Sequence, residues 1–240
     1  YWGDIVMSDI TKAQTILQQA HHIVFMTGAG VSTPSGIPDY RSKNGLYTEH
    51  HNAEYYLSHA FLAEHPLEFY QYLKANLYYP DARPNVIHQK MAALTQQGRA
   101  SVITQNIDNL YNVAQTEQLV EFHGNLYQIY CTKCGQHVDW HDYLQSPYHQ
   151  TDHGYLRPNV VLYDEGLASA NIERAVQYLQ QADLVVICGT SFRVYPFAGL
   201  IDYRNPKADV LAINEEPLQL PFAFTMVQQN AVDFFKEVQV

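Results

Sequence analysis

Cysteine is scarce in this sequence. Three occur in 240 residues, an odd number too small for a disulfide framework, so a reducing compartment, the cytoplasm, is the expected location. Positive charge is scarce too: 14 Lys and Arg against 24 Asp and Glu leave a formal charge of −10, which opposes attraction to a phosphate backbone or an anionic lipid surface. Neither nucleic acid nor membrane is therefore expected as a direct partner. No apolar run approaches the roughly 18 residues that span a bilayer, and no charged-then-apolar leader precedes the first predicted helix. Charged residues make up 16% and apolar residues 47%, far from the composition of a disordered chain. Met7 is the first methionine, and the predicted fold begins there.

What is present is a rhythm of short apolar runs and amphipathic stretches. Between Ser8 and His22, Ile10, Ala13, Leu17 and Ala20 recur at helical spacing, with Ser8 or Asp9 as the cap. Ile23 to Thr27 is a buried-strand pattern that ends in Gly28-Ala29-Gly30. Similar runs recur at Ser101 to Thr104, Leu184 to Cys188 and Val210 to Ile213, and Ile172, Val176 and Leu179 mark a helix between them. Strands alternating with helices predict an α/β fold, a Rossmann-like parallel sheet with helices on both faces. Two stretches break the rhythm. Residues 47 to 80, crowded with Tyr, Phe and His and interrupted by Pro66 and Pro80, read as a helical flap. Residues 127 to 156, holding Cys131 and Cys134, read as a small inserted module. The expected division is 7–126 with 157–240 as one discontinuous domain and 127–156 as the insert.

A strand running into Gly28-Ala29-Gly30-Val31-Ser32 lets the backbone approach a pyrophosphate, with amides and a hydroxyl as donors. The usual dinucleotide fingerprint is incomplete, because Thr33 stands where a third glycine belongs and no acid can be placed at the end of the next strand. Alone, the turn is as consistent with a structural loop as with a nucleotide site. The continuous string Gly28-Ala29-Gly30-Val31-Ser32-Thr33-Pro34-Ser35-Gly36-Ile37-Pro38-Asp39-Tyr40-Arg41, however, closely resembles the NAD-binding signature of the sirtuins. Thr104-Gln105-Asn106-Ile107-Asp108-Asn109-Leu110, Phe122-His123-Gly124 and Gly189-Thr190-Ser191 with Val194 and Pro196 agree in family order. Leu156 to Val161 and Ile213 to Pro217 match as well, so the resemblance spans about residues 8 to 238.

The resemblance implies an NAD-dependent protein-lysine deacylase that yields nicotinamide and O-acyl-ADP-ribose, with an acyl-lysine protein or peptide as substrate. It makes His123 the base and gives Asn106 a catalytic part. An imidazole with an ordinary pKa near 6.5 suits that work at neutral pH, although one of twelve histidines can equally be a satisfied core or surface residue. Gln105, Asn106, Ile107 and Asp108 would hold ribose and nicotinamide; the plainer reading is that Asn106 or Asp108 caps the helix that follows. Asp39, Tyr40 and Arg41 would form the loop over nicotinamide, with Tyr40 where most relatives carry Phe. Gly189, Thr190 and Ser191 would serve the phosphates, Asn214 and Glu215 the adenosine ribose, and Ala231 and Val232 the adenine, Val232 being equally readable as core. Val160, Val161, Leu162 and Tyr163 resemble the strand on which the substrate peptide lies, or are an ordinary interior strand. Relatives continue Phe-Gly-Glu where this chain has Tyr163-Asp164-Glu165.

The family holds structural zinc with two Cys-x-x-Cys pairs, and only Cys131 and Cys134 are present. Counting back from Leu156-Arg157-Pro158 puts His149 and Asp152, with His153 beside them, where the second pair belongs. Zinc accepts that mixed set; loss of the metal, with hydrophobic packing in its place, is the alternative. Cys188, on a buried strand, reads as core. Members that remove acidic acyl groups carry Tyr-x-x-Arg in the flap, and the best match here, Tyr70-Gln71-Tyr72-Leu73 with Lys74 adjacent, lacks the arginine, so an uncharged acyl group is expected. Two rival functions are also compatible with these residues. ADP-ribosyl transfer to protein is disfavoured by the presence of His123, and a non-catalytic NAD-binding module is distinguishable by mutating it. The residues say nothing of oligomeric state.

Overall fold

The computed structural model describes residues 9–39 and 53–240. Six strands form one parallel sheet: β1 (Ile23–Thr27), β2 (Ala100–Thr104), β3 (Leu119–Glu121), β7 (Leu184–Cys188), β8 (Asp209–Asn214) and β9 (Thr225–Gln228), in the order β3-β2-β1-β7-β8-β9. Every residue of β1 is buried, and the period of two divides them between two cores. Ile23 and Phe25 join Ala13 and Leu17 of α1 (Asp9–Gln19), Met91 and Leu94 of α5 (Val86–Gln96), and Phe234 and Phe235 of α9 (Ala231–Lys236). Val24 and Met26 face the other way, onto Ala175 and Leu179 of α8 (Ser169–Gln181) and the short helical segment Ala198–Tyr203. Both faces of the sheet are thus covered, as the continuous apolar runs require.

The flap contains α2 (Ala53–Tyr56), α3 (His59–Glu64) and α4 (Pro66–Asn76). Pro66 opens α4 at a position where its missing N–H costs nothing, and the Ser58 hydroxyl caps α3 by accepting from Phe61 N at 3.1 Å. Beside the flap lies a three-stranded antiparallel sheet, β5-β4-β6, made of β4 (Gly124–Cys131), β5 (His137–Val138) and β6 (Leu156–Val160). Its strands run from 124 to 160, past both ends of the 127–156 segment. A third core, including Phe61, Phe69, Leu73, Leu126, Ile129 and Tyr143, joins flap to small sheet; Tyr143 belongs to α7 (Trp140–Gln145). Among the described residues no helix is long and apolar enough to cross a membrane.

Candidate active site

The large sheet changes direction of growth at β1, whose neighbours are β2 and β7. A crevice opens at the carboxyl ends of strands where such a reversal occurs, and the loops after β1, β2, β3, β7 and β8 all meet there. The glycines of the first loop are required by contact within the protein. Gly30 N donates to Gly189 O at 2.8 Å, and a Cβ on Gly30 would lie 2.8 Å from that same oxygen. Gly189 has φ +60°, and a Cβ there would meet Val31 N at 2.6 Å. Two loops therefore pack backbone to backbone, which only glycine permits. The Gly30 amide is spent on this contact rather than left for a phosphate. The following helical turns are pinned by Asn85, which caps α5 through Ile87 N (2.9 Å) and donates to Val31 O and Ser35 Oγ, both at 2.8 Å.

The loop after β2 is bonded into the same crevice. Asn106, buried, donates from Nδ2 to Gly28 O (3.0 Å) and Ser32 Oγ (3.1 Å). Ser32 Oγ donates to Asp108 Oδ2 at 2.6 Å, so the hydroxyl expected to face a phosphate is buried and holds the carboxylate of the next loop. Asp108 Oδ1 accepts from Leu110 N at 3.0 Å just ahead of α6 (Leu110–Val113), whose N-cap is Asn109 with no side-chain cap bond, so neither Asn106 nor Asp108 is the N-cap of that helix. Burial raises the Asp108 pKa, opposed by these hydrogen bonds. His123 lies between β3 and β4, its Nδ1 3.1 Å from Gln105 O. A carbonyl only accepts, so Nδ1 carries the proton and Nε2 is the basic nitrogen.

Three cavities converge on these groups. One of about 320 Å³ is lined by residues including Gly28, Ala29, Gly30, Asp39, Gln105, Gly189, Thr190, Ser191, Asn214, Glu215 and Ala231. A second, also about 320 Å³, is lined by His123, Gln105, Ile107, Val160, Val161, Leu162 and Tyr163 among others. A third of about 20 Å³ lies between Ala29, Ser32, Asn106, Ile107 and Asp108. Gln105 and Val194 wall both large clefts, so the clefts meet beside His123. Val232 lines none of these cavities and packs on the core, as its plainer reading had it. Tyr40 and Arg41 lie outside the described residues.

The Val160 to Tyr163 segment is a strand only at Val160. Beyond it Val161 N donates to His123 O (2.9 Å) and Tyr163 N to Leu57 O (3.0 Å), which draw the chain out of the β4–β6 pair and up to the flap as a cleft wall. Glu165 braces that wall. Its carboxylate accepts from Arg157 Nη1 (2.8 Å) and Nη2 (2.9 Å) and from Leu162 N (3.0 Å), and lies 2.9 Å from His59 Nδ1. Burial raises its pKa, but these partners outweigh burial and hold it at about 2. In the flap, Tyr70 OH and Lys74 Nζ both donate to Leu144 O, at 3.0 and 2.6 Å. They point into the small module and supply no cation to the cleft.

In that module Cys131, Cys134, His149 and Asp152 each offer one ligand atom, all within 4.8 Å of one another. Cys131 Sγ is 3.5 Å from Asp152 Oδ1, and Cys134 Sγ is 3.6 Å from His149 Nδ1. Gly154 packs so closely on Cys131 Sγ that a Cβ there would overlap it. Two thiolates, an imidazole and a carboxylate at these separations fit tetrahedral zinc, whose bonds run about 2.0–2.3 Å. His153 lies outside the cluster. The pairing of Cys131 with Leu156 across β4 and β6 brings the two halves together.

Asn230, Glu121 and Asn125 carry no readable signal in the sequence, whereas Glu216 falls within the Ile213 to Pro217 match. Glu216 and Asn230 line the first cleft; Asn230 donates to Glu215 Oε1 at 2.7 Å and caps α9 through Val232 N at 2.9 Å. Glu121 Oε1 accepts from Asn112 and Asn125, both at 2.7 Å, and Asn125 also donates to Asn109 Oδ1 at 2.8 Å. This chain ties the strand before His123 to the loop that holds Asp108. Burial raises the Glu121 pKa to about 7, with both asparagines opposing it.

The Sir2 family profile matches residues 28–196. A Lactiplantibacillus plantarum protein described as an NAD-dependent protein deacetylase is 92% identical over 234 residues, covering 98% of this chain and 100% of that protein. A Listeria innocua protein of the same description is 52% identical over 222 residues, covering 92% and 97%. A solved Sir2 structure with p53 peptide and NAD+ has a TM-score of 0.82 and 31% identity, covering 97% of each chain. Another, with deacetylated p53 peptide and 3′-O-acetyl ADP ribose, has a TM-score of 0.84 and 30% identity, covering 95% of this chain and 96% of that one. The chain belongs to the Sir2 family, the sirtuins.

Proposed function

We propose that this sirtuin removes acyl groups from lysine side chains at the expense of NAD, in the cytoplasm, with His123 as base. NAD, acyl-lysine and water are converted to nicotinamide, free lysine and O-acyl-ADP-ribose. When bound, NAD supplies the ribose carbon that gives up nicotinamide and receives the acyl oxygen. The dinucleotide would occupy the cleft between the β1, β7 and β8 loops, with Ser191, Asn214 and Glu215 as its polar contacts and Ala231 beneath the adenine. The acyl-lysine would enter the cleft between Val161 to Tyr163 and Val194.

One observation carries this reading: Gln105 lines both large clefts while its carbonyl orients His123, so the base stands at their junction. With the proton fixed on Nδ1, Nε2 takes a proton from a sugar hydroxyl. Asn106 and Asp108, held through Ser32, would position ribose and nicotinamide. Relatives described as deacetylases at 92% and 52% identity support the same reaction. Zinc held by Cys131, Cys134, His149 and Asp152 would brace the small module without touching the chemistry. The test is incubation with NAD and an acetyl-lysine peptide, with mass spectrometry for O-acetyl-ADP-ribose. Equimolar nicotinamide, deacetylated peptide and O-acetyl-ADP-ribose are expected; nicotinamide release without deacetylated peptide would refute the reading in favour of ADP-ribosyl transfer or NAD hydrolysis.

A further inference from the structure

We propose that Asp164 makes this enzyme prefer acyl-lysines flanked by basic residues, by setting an uncompensated carboxylate on the rim of the cleft that contains His123. The inference rests on the deacylase reading and specifies the substrate class of that same cleft. Among the described residues lining it, Asp164 and Glu165 carry negative charge and none is a lysine or arginine. Arg193 is exposed beside Val194 but does not line the cleft. Glu165 is neutralised by Arg157. Asp164 is exposed and makes no hydrogen bond or ion pair among the described residues. Among the described residues, the spare charge at the cleft is therefore its own.

The backbone that carries this carboxylate is also held in place. Asp164 has φ +71°, a left-handed conformation that suits glycine and that Asp tolerates better than most residues. Its neighbours are anchored on both sides: Tyr163 N donates to Leu57 O at 3.0 Å, His59 N to Tyr163 O at 3.0 Å, and Glu165 N to Leu162 O at 3.1 Å. A glycine would form this turn with less strain, so the turn does not explain the aspartate. Tyr195, which lines the same cleft and is 76% exposed, offers an aromatic face that also favours a cation. A peptide with Arg or Lys next to the acyl-lysine gains from both, and one with Glu is repelled.

The test compares acetyl-lysine peptides of equal length bearing Arg or Glu, first on one side of the acetyl-lysine and then on the other, by kcat/KM at saturating NAD. On at least one side the Arg peptide should be favoured by roughly five-fold or more at low ionic strength, shrinking in about 0.5 M salt. In Asp164→Asn and in Asp164→Gly the ratio should fall to within about two-fold of unity. Asn tolerates the left-handed turn and Gly relaxes it, so the fold survives in one variant if not in both. A preference that persists in both variants, or that is absent from the wild type, overturns the proposal. Failure of the wild type to deacetylate any peptide would instead overturn the deacylase reading.

Discussion

Replacing Glu165 by Gln should destabilise the protein at neutral pH and loosen the cleft proposed for acyl-lysine while leaving the cleft proposed for NAD intact. In the folded chain the carboxyl is held at about 2 against an ordinary 4.5. At about 1.4 kcal/mol per pKa unit that difference corresponds to about 3 kcal/mol, and solvent screening of this partly exposed group reduces it to about 2 kcal/mol. The sign follows from the depressed pKa: the contribution is fully present above pH 4.5 and is lost as pH falls through the folded value. Substitution also leaves the buried Arg157 guanidinium without its counter-charge, which raises the expected cost to about 2–4 kcal/mol. Urea unfolding at pH 7 measures it, and repeating the comparison near pH 3 should show a smaller gap. Because Leu162 N is also released, KM for the acetyl-lysine peptide should rise several-fold more than KM for NAD. A loss below about 0.5 kcal/mol at pH 7 would refute this account of how the wall is held.

Other outcomes follow from the same structure. Glu121→Gln keeps an oxygen for Asn112 and Asn125 and removes a carboxyl whose folded pKa, about 7, lies above 4.5; a raised carboxyl costs stability as pH climbs through 7. The variant should therefore be more stable than wild type by about 1–2 kcal/mol at pH 8, with the gap nearly gone by pH 4.5, and a pH-independent gap would contradict this. Gly124→Ala places a Cβ against Asn159 O at φ +83°; about 2–5 kcal/mol should be lost in urea unfolding, and deacetylation should fall with it because His123 is adjacent. Chelation of zinc should lower Tm by more than about 5 °C, and Asp152→Ala should reduce zinc content below one per chain by elemental analysis, whereas a metal-free wild type with unchanged Tm would remove zinc from the account.

The strands β1, β2, β7 and β8 are legible in the sequence because each is an apolar run buried on both faces, and burial on both faces needs no period. β3 and β9, at three and four residues, are too short to stand out. β4 is masked by a register shift between Asn125 and Ile129, which breaks its alternation, and its partner β6 contains Arg157 and Pro158. Contiguous motifs pointed to His123, Gln105, Asn106 and Asp108, but not to the hydrogen bonds that organise them. Ser32 bonds a residue 76 positions away, and the Gly30 requirement comes from Gly189, which no local pattern encodes. Cys131, Cys134, His149 and Asp152 are countable from spacing, yet only the β4–β6 pairing makes them one cluster. Asn230 and the Glu121–Asn125 pair are ordinary polar residues until the strands are stacked.

The most direct measurement is a paired one on His123→Ala. NAD binding followed by calorimetry should stay within a few-fold of wild type, because the residue lines the cleft proposed for acyl-lysine and not the one proposed for the dinucleotide. Formation of O-acetyl-ADP-ribose from NAD and an acetyl-lysine peptide should drop by about 100-fold or more. Undiminished product formation in the variant would show that the imidazole at the junction of the two clefts is not the base.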